Sequence, residues 1–203
     1  LGTGSGSAED VSADGTVIVG EVERDGRSQA FRWTEDDGYQ LLGYLPGSPH
    51  YGGIAWAISA DGKTIVGGTT DSRGESTVPF RWTELGGMDQ LGSLGQTSVA
   101  TAVSADGSVI VGSAWVGTSF EDQEQRAFVW DMAGGIRFLD DWLRADGGLQ
   151  SQLDGWHLTR ATAISDDGQY VTSEALNPQG NREAVLIRLP EPSTAFLLSL
   201  GSL

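Results

Sequence analysis

The sequence predicts an all-β protein, and three observations lead to this fold class. A ten-residue stretch at positions 11–20 returns at 58–67 and 103–112 and, with more changes, at 164–173. Each copy places two short apolar runs around an Asp-Gly pair, which is a strong signal for two antiparallel strands joined by a tight turn. Glycine accounts for 30 of the 203 residues, and such a content suits tight turns and short strands better than helices.

The spacing of the Asp-Gly pairs predicts a repeat architecture. The pairs are separated by 47, 45 and 61 residues, since their aspartates are Asp14, Asp61, Asp106 and Asp167. A period of this size is typical of propellers, solenoids and arrays. The longer last interval indicates an insertion, assigned to residues 140–158. We therefore predict one repeat domain over residues 1–189, with units at about residues 8–45, 54–94, 99–143 and 160–189.

The strands of each unit follow in order along the chain. In the second unit they are predicted at residues 54–59, 64–70, 78–83 and 88–94. The fourth strands of the first and third units are expected at residues 39–45 and 136–143. The last unit has only three predicted strands, at residues 160–165, 169–176 and 183–189.

The second strands are continuously apolar, as in residues 16–19, so both of their faces are expected to be buried between stacked sheets. Four short antiparallel strands in about 45 residues is the plan of a propeller blade. We predict a β-propeller-like array of four-stranded antiparallel blades, three complete and one incomplete. Because the last blade lacks a strand, we expect an open, partial ring with an exposed edge. A β-solenoid or β-sandwich array is the alternative.

Composition limits the partners. The formal net charge of -16 argues against nucleic acid and against electrostatic docking on anionic membranes, since both would repel the chain. The chain contains no cysteine, so a disulfide framework and a thiolate metal site are excluded. The first ten residues lack the pattern of a signal peptide. Leu1-Gly2 align with Leu91-Gly92, and we expect the sequence to open within an earlier unit.

Three recurring blocks resemble a known family. The Ser-Ala-Asp-Gly-x-x-Ile-Val-Gly, Ala-Phe-Arg-Trp and Leu-Gly-x-Leu blocks are similar to the HAF repeats of probable extracellular bacterial proteins, over nearly the whole chain. The histidine of that repeat is replaced here by Gln29, Val78 and Arg126, so no function is assigned to it. The block at residues 59–63 also resembles the Ser-Pro-Asp-Gly-Lys blocks of TolB-type propellers, which favours blades.

The C-terminal residues 190–203 carry a second resemblance. Pro190-Glu191-Pro192 followed by an apolar run looks like the start of a PEP-CTERM sorting signal. The nine residues 195–203 would give about 14 Å of helix against a hydrocarbon core of about 30 Å, and no Arg or Lys follows Arg188. The resemblance implies export by a Gram-negative bacterium, an exosortase-type processing enzyme, membrane contact only through this tail, and an exopolysaccharide or biofilm context. A proline-rich end with an apolar tail is the alternative.

Candidate chemistry outside the insertion is sparse. The four turn aspartates are interpreted as hairpin residues whose carboxylates bond nearby backbone amides. The alternating carboxylate pattern of a calcium loop is absent from the sequence, although the acidic chain would attract calcium and such binding stays open; no cofactor is predicted. His50 and His157 are the only histidines, and they are interpreted as surface residues and not as catalytic bases.

The insertion is the candidate binding site, because insertions in repeat arrays map to loops and often to the binding face. It combines indoles, which stack on sugar faces, with groups that bond hydroxyls. The candidate ligand-binding residues are Asp141, Trp142, Asp146, Asp154, Trp156 and His157. The alternative is a short amphipathic helix, with Leu139, Trp142 and Leu143 on one face, that caps the array.

Two functions follow from this sequence. The first is a non-catalytic extracellular or cell-surface protein whose loops bind a polysaccharide or a surface protein. The second is an extracellular carbohydrate-active lyase or hydrolase on the same scaffold. We favour the first, because no unit carries an acid, base or nucleophile constellation that stands out from the repeat.

Overall fold

The fold was analysed in a computed structural model that describes residues 5–24, 26–47, 52–70, 76–117 and 122–190. These residues form fifteen β-strands and one short α-helix, which confirms the predicted all-β class. Every strand pair within a unit is antiparallel, and strands that are consecutive along a unit are neighbours in its sheet.

The first three units each contain four strands. The first unit has β1 (Gly6–Val11), β2 (Ile18–Arg24), β3 (Arg27–Thr34) and β4 (Gly38–Leu41). The second has β5 (Gly53–Ile58), β6 (Thr64–Thr70), β7 (Thr77–Thr83) and β8 (Gly87–Gln90). The third has β9 (Thr97–Val103), β10 (Val109–Val116), β11 (Glu124–Asp131) and β12 (Gly135–Phe138).

The fourth unit has three described strands, β13 (His157–Ile164), β14 (Tyr170–Leu176) and β15 (Arg182–Arg188). Helix α1 (Leu139–Ala145) lies between β12 and β13. One parallel bridge, between Thr77 and Thr97, joins the sheets of the second and third units. The described residues thus form sheets of four, eight and three strands.

The fourth strands are shorter than predicted. In the first unit, β4 ends at Leu41, and the backbone turns away through Gly43, which has a φ of 84° that favours glycine. In the third unit, the sequence from Leu139 continues as helix and not as strand. Two acidic residues in the first turn of α1 favour this helix, because they complement the partial positive charge at its N-terminus.

The core lies between consecutive units, in three clusters of buried side chains. Ile65 packs toward the first unit, whereas its neighbour Val66 packs toward the third. In the third unit, Ile110 and Val111 divide in the same way between the second and fourth units. The second strands of the second and third units are therefore buried on both faces, as their continuous apolar runs predicted, whereas β14 of the fourth unit alternates between buried and exposed residues. Each such side chain contributes about 1.5–3 kcal/mol through burial.

Candidate functional site

The insertion folds onto the end of the third unit and the start of the fourth. Leu139 and Leu143 of helix α1 are fully buried in the cluster between these two units. The helical alternative that the sequence left open is therefore realised over the first residues of the insertion, up to Ala145. The rest of it is a series of turns that leads back to β13.

Asp140 is the centre of a charged network beneath this surface. Its side chain is buried, and Oδ1 accepts a hydrogen bond from Arg126 Nη2 at 2.6 Å while Oδ2 accepts one from Arg144 Nη1 at 3.0 Å. Asp141 also accepts from Arg126 Nη2, at 2.9 Å. Two carboxylates and two guanidinium groups thus balance each other, as a buried ion network requires.

The charge state of Arg126 follows from these contacts. Burial of the guanidinium would lower its pKa, but the hydrogen bond and charge of Asp140, with a smaller contribution from Asp141, raise it overall. Arg126 also lies 3.8 Å from the ring centroid of Phe138, a distance at which a cation is attracted to the aromatic face. Arg126 therefore stays charged and links β11 to the start of α1.

Arg144 fixes the far end of the insertion. Its Nη2 donates to the backbone carbonyls of Leu153, at 3.0 Å, and of Trp156, at 2.7 Å. Leu153 is itself buried in the cluster between the third and fourth units. Because Arg144 also binds Asp140, a single chain of hydrogen bonds connects β11, α1 and the residues that enter β13.

The two tryptophans of the insertion are half-buried. Trp142 and Trp156 both pack against the cluster between the third and fourth units. The guanidinium of Arg137 lies 4.4 Å from the centroid of the Trp142 ring, and an ion pair with Asp131 holds Arg137 in place. Each indole is thus fixed by packing on part of its surface and leaves the rest accessible.

The other predicted site residues are exposed around these two tryptophans. Asp141 lies on α1, Asp146 caps its C-terminus, and Asp154 follows in the turns. His157 begins β13, with its Nδ1 3.8 Å from Glu124 Oε1. The hydrogen-bond network includes the Asp141 carboxylate and the Trp156 backbone carbonyl. Trp142 packs on the same core cluster as Trp156, whereas His157 lies near Glu124 and outside the network. His50 lies outside the described residues.

Two exposed tryptophans outside the insertion were not among the predicted site residues. Trp56 lies in β5 at a bulge between Ala55 and Ala57, a position where the register of the strand pair shifts. The same Ala-x-Ala frame holds Thr162 at a bulge of the fourth unit. A variable residue between two constant alanines was the available signal. Trp115, near the end of β10, has no such marker.

The turn aspartates bond to their own turns, as interpreted from the sequence. In the first unit, the Asp14 carboxylate accepts from the Thr16 backbone N–H at 3.0 Å and from the Ser12 hydroxyl at 2.7 Å. The Ser12 hydrogen bond, followed by those from Thr16, lowers the pKa of Asp14 to about 2. Asp61, Asp106 and Asp167 accept the equivalent backbone bonds, and their pKa values are also lowered.

No metal site emerges from these carboxylates in the described ranges, where no group of three or more His, Asp or Glu side chains is placed to hold an ion. The turn aspartates lie at one edge of the sheets, where first strands end and second strands begin. Because strand direction alternates within a unit, the second and fourth strands end at the opposite edge, and the insertion between β12 and β13 begins there. At this second edge, an open groove of about 380 Å³ between the first two units is lined by residues that include Ser28, Gly53, Thr69 and Thr77.

Comparisons with known proteins concern the fold. No protein-family profile matches the sequence, and no significantly similar curated protein was found. Among solved structures, the chain is similar to TolB from Acinetobacter baumannii, with a TM-score of 0.53 and 16% identity over 91% of this chain and 43% of that protein. It is also similar to a putative TolB from Agrobacterium tumefaciens, with a TM-score of 0.53 and 16% identity over 92% and 60%.

A prolyl endopeptidase gives a TM-score of 0.59 with 12% identity, over 93% of this chain and 28% of that one. These neighbours are propeller-type proteins, and at such identities the likeness concerns the fold alone. The chain spans less than two thirds of each of these three structures. Within the described residues, no helix is both long and apolar enough to cross a membrane.

Proposed function

We propose that this chain is a non-catalytic repeat protein of the cell surface or extracellular matrix, whose insertion binds a polysaccharide. Its units act as blades of an open, partial propeller. The resemblance to HAF repeats and the Pro190-Glu191-Pro192 motif support export by a Gram-negative bacterium and processing by an exosortase-type enzyme. Glu191 and Pro192 lie outside the described residues, so this part of the proposal is carried by sequence.

The observation that carries the proposal is the Asp140 network. It holds the one segment that departs from the repeat against the third and fourth units, through bonds to Arg126 and Arg144. A site that is fixed before binding loses less entropy when a ligand docks. The segment held in this way carries two half-buried indoles beside exposed carboxylates, a combination suited to sugar faces and hydroxyl groups.

Charge indicates which polysaccharide would bind. The net charge of -16 would repel a polyanion. The exposed groups around Trp142 and Trp156 include the carboxylates of Asp141, Asp146 and Asp154. A neutral polysaccharide, bound through its hydroxyl groups and apolar ring faces, therefore suits the surface best. An anionic polysaccharide would need a bridging cation such as calcium.

Affinity electrophoresis through gels that contain neutral bacterial polysaccharides tests the proposal. A Trp142→Leu/Trp156→Leu variant removes both indoles but keeps apolar side chains in the core cluster. We expect it to lose the retardation of the wild type, while Trp56→Leu, which changes an exposed tryptophan outside the insertion, keeps it. Matching midpoints of urea unfolding check that both variants are folded.

Three outcomes would contradict the proposal. Wild-type mobility unaffected by every neutral glycan would favour a protein partner. Binding to anionic glycans only in the presence of calcium would indicate that carboxylates bridged by calcium, and not the two indoles, hold the ligand. Release of reducing ends or unsaturated sugars, lost in carboxylate variants, would favour the lyase or hydrolase alternative.

A further inference from the structure

Asp-Gly pairs can rearrange in water without any catalyst. The backbone nitrogen of the glycine attacks the side-chain carboxyl carbon of the aspartate, because glycine has no side chain that hinders the approach. The reaction requires a carboxyl group and an N–H group that are both free of hydrogen bonds. The chain contains eight such pairs, with aspartates at positions 14, 25, 37, 61, 106, 146, 154 and 167.

In the four repeat turns, both reacting groups are held by hydrogen bonds. The N–H of Gly62 donates to the carbonyl of Ser59 at 2.9 Å. The Asp61 carboxylate accepts from the Ser59 hydroxyl at 2.7 Å and from the Lys63 N–H at 3.0 Å. The same bonds recur within residues 12–16, 104–108 and 165–169. Serine hydroxyls are the main cause of the lowered pKa values of these aspartates, which therefore stay ionised to lower pH.

The pair Asp154-Gly155, in the turns of the insertion, differs at both groups. The Asp154 side chain is exposed and makes no hydrogen bond or ion pair with the described residues. The N–H of Gly155 has no acceptor among these residues either. The turn closes around the pair, since the Trp156 N–H donates to the Leu153 carbonyl at 3.0 Å. Both reacting groups are thus accessible at the tip of a turn.

Two other described pairs are each restrained at one group. The N–H of Gly147 donates to the carbonyl of Trp142 at 3.3 Å. The Asp37 carboxylate accepts from the Thr34 hydroxyl, also at 3.3 Å. Asp25 lies outside the described residues. Among the pairs that the structure describes in full, the pair at position 154 is therefore the one with neither group bonded.

We propose that Asp154-Gly155 is a modification site, at which the folded chain forms a succinimide and from it an isoaspartyl bond. The Gly155 nitrogen bonds to Cγ of protonated Asp154, the C–OH bond breaks, and the amide proton leaves with the hydroxyl as water. A second water then opens the ring. Attack at the backbone carbonyl leaves the chain connected through Cβ and Cγ, so that the main chain gains one methylene group.

The added methylene falls between two carbonyls that one side chain holds. Arg144 Nη2 binds the carbonyls of Leu153 and Trp156, at 3.0 and 2.7 Å, on either side of the modified pair. A longer main chain between them cannot keep both carbonyls on the same nitrogen. The modification therefore releases the end of the insertion next to Trp156. The proposal is independent of polysaccharide binding, since it depends on the reacting groups and on Arg144.

Peptide mapping by mass spectrometry, after storage of the folded chain well below its unfolding temperature, tests the site. Electron-transfer fragmentation distinguishes the two linkages because it cleaves the bond between Cα and Cβ of isoaspartate. We expect isoaspartate to form at Asp154 about tenfold or more faster than at the four repeat turns, a difference of about 1.4 kcal/mol in activation free energy. The matched comparison is the same chain unfolded in guanidinium chloride, where all Asp-Gly pairs should react at similar rates.

The Asp154→Glu variant tests the structural consequence. It keeps a carboxylate, but its side chain would have to close a six-membered ring, which forms more slowly. After storage, we expect faster proteolysis within residues 146–156 in the wild type and an unchanged rate in Asp154→Glu. Matching urea midpoints before storage would show that both chains are folded.

Three results would overturn the proposal. In the first, isoaspartate forms at the repeat turns of the folded chain as fast as at Asp154. In the second, the ratio between these sites is the same in the folded and unfolded chains, so that local sequence and not structure sets it. In the third, stored wild type and stored Asp154→Glu are cleaved at the same rate within the insertion.

Discussion

The turn aspartates and Asp140 of the insertion are the same residue type in two different settings. Asp14 is exposed and bonds to residues within two positions of itself. Asp140 is buried and joins Arg126, fourteen residues before it, to Arg144, four residues after it in the same helix. The first arrangement is local and recurs in all four units, whereas the second connects three elements and occurs in the insertion.

This difference separates what stabilises a repeat from what positions a site. A local turn bond lowers the free energy of one hairpin and leaves its neighbours unchanged. A buried ion network couples every element that it touches, because loss of one member leaves the other charges uncompensated. We therefore expect variants at Asp140 to have the largest effect on stability, and variants at the turns to have smaller effects that are confined to one unit.

Replacing Asp140 with Asn is the strongest test of this comparison. The change removes the charge that balances Arg126 and Arg144, and breaking a buried pair on one side costs about 3–5 kcal/mol. Urea unfolding should show this loss as a lower midpoint. Asp141→Asn is the matched control, since it removes an exposed carboxylate that binds the same Arg126, and exposed pairs contribute about 0–1 kcal/mol.

Equal losses of stability in the two variants would contradict this prediction, because they would mean that the buried carboxylate of Asp140 contributes no more than the exposed carboxylate of Asp141. A second readout is proteolysis within residues 146–156, because Arg144 holds the carbonyls of Leu153 and Trp156 only while its own position is fixed by Asp140. We expect faster cleavage there in Asp140→Asn, with the wild-type rate in Asp141→Asn.

Replacing Ser59 with Ala tests a turn at intermediate magnitude. The fully buried Ser59 hydroxyl donates to Asp61 at 2.7 Å and accepts the Thr64 backbone N–H at 3.0 Å. The substitution leaves this buried N–H without its acceptor, which costs about 1–3 kcal/mol. Urea unfolding should show a loss smaller than that of Asp140→Asn. Ser93→Ala, at an exposed serine, is the control, and an equal loss there would contradict the role of the turn serine.

Much of the fold could be predicted because each hairpin of the repeat is determined by residues close together in sequence. The Asp-Gly turn requires a glycine with positive φ, such as Gly62 at 73°, and the apolar second strand follows this turn directly. The fourth strands were predicted too long, because a segment such as residues 88–94, with leucines at 91 and 94, does not show where pairing stops. Pairing with β7 ends at Gln90, and Gly92 then takes a φ of 115°.

The sequence indicated which segment interrupts the repeat but not how that segment is held in place, and its role as a binding site stays a prediction. Its residues were chosen because they break the period, and the tryptophans and exposed carboxylates do lie in one inserted segment. The sequence did not indicate Asp140 as the centre of this segment. Its partner Arg126 lies on β11, at a position that is occupied by Gln29 and Val78 in the earlier units. Contacts between residues far apart in sequence leave no local pattern, and Trp115 was missed for the same reason.

The acid sensitivity of Asp14 gives the smallest expected effect and sharpens the comparison by pH. Its pKa is lowered in the folded chain from an ordinary value of 3.8 to about 2, chiefly by the Ser12 hydroxyl. A carboxylate of this kind contributes stability above its unfolded pKa and loses it as pH falls through the folded value. Wild type should therefore unfold at a higher temperature than Asp14→Asn at pH 6, and the difference should shrink as pH falls from 3.8 to about 2. A difference that stays constant over this range would show that Asp14 acts through the shape of its side chain and not through its charge.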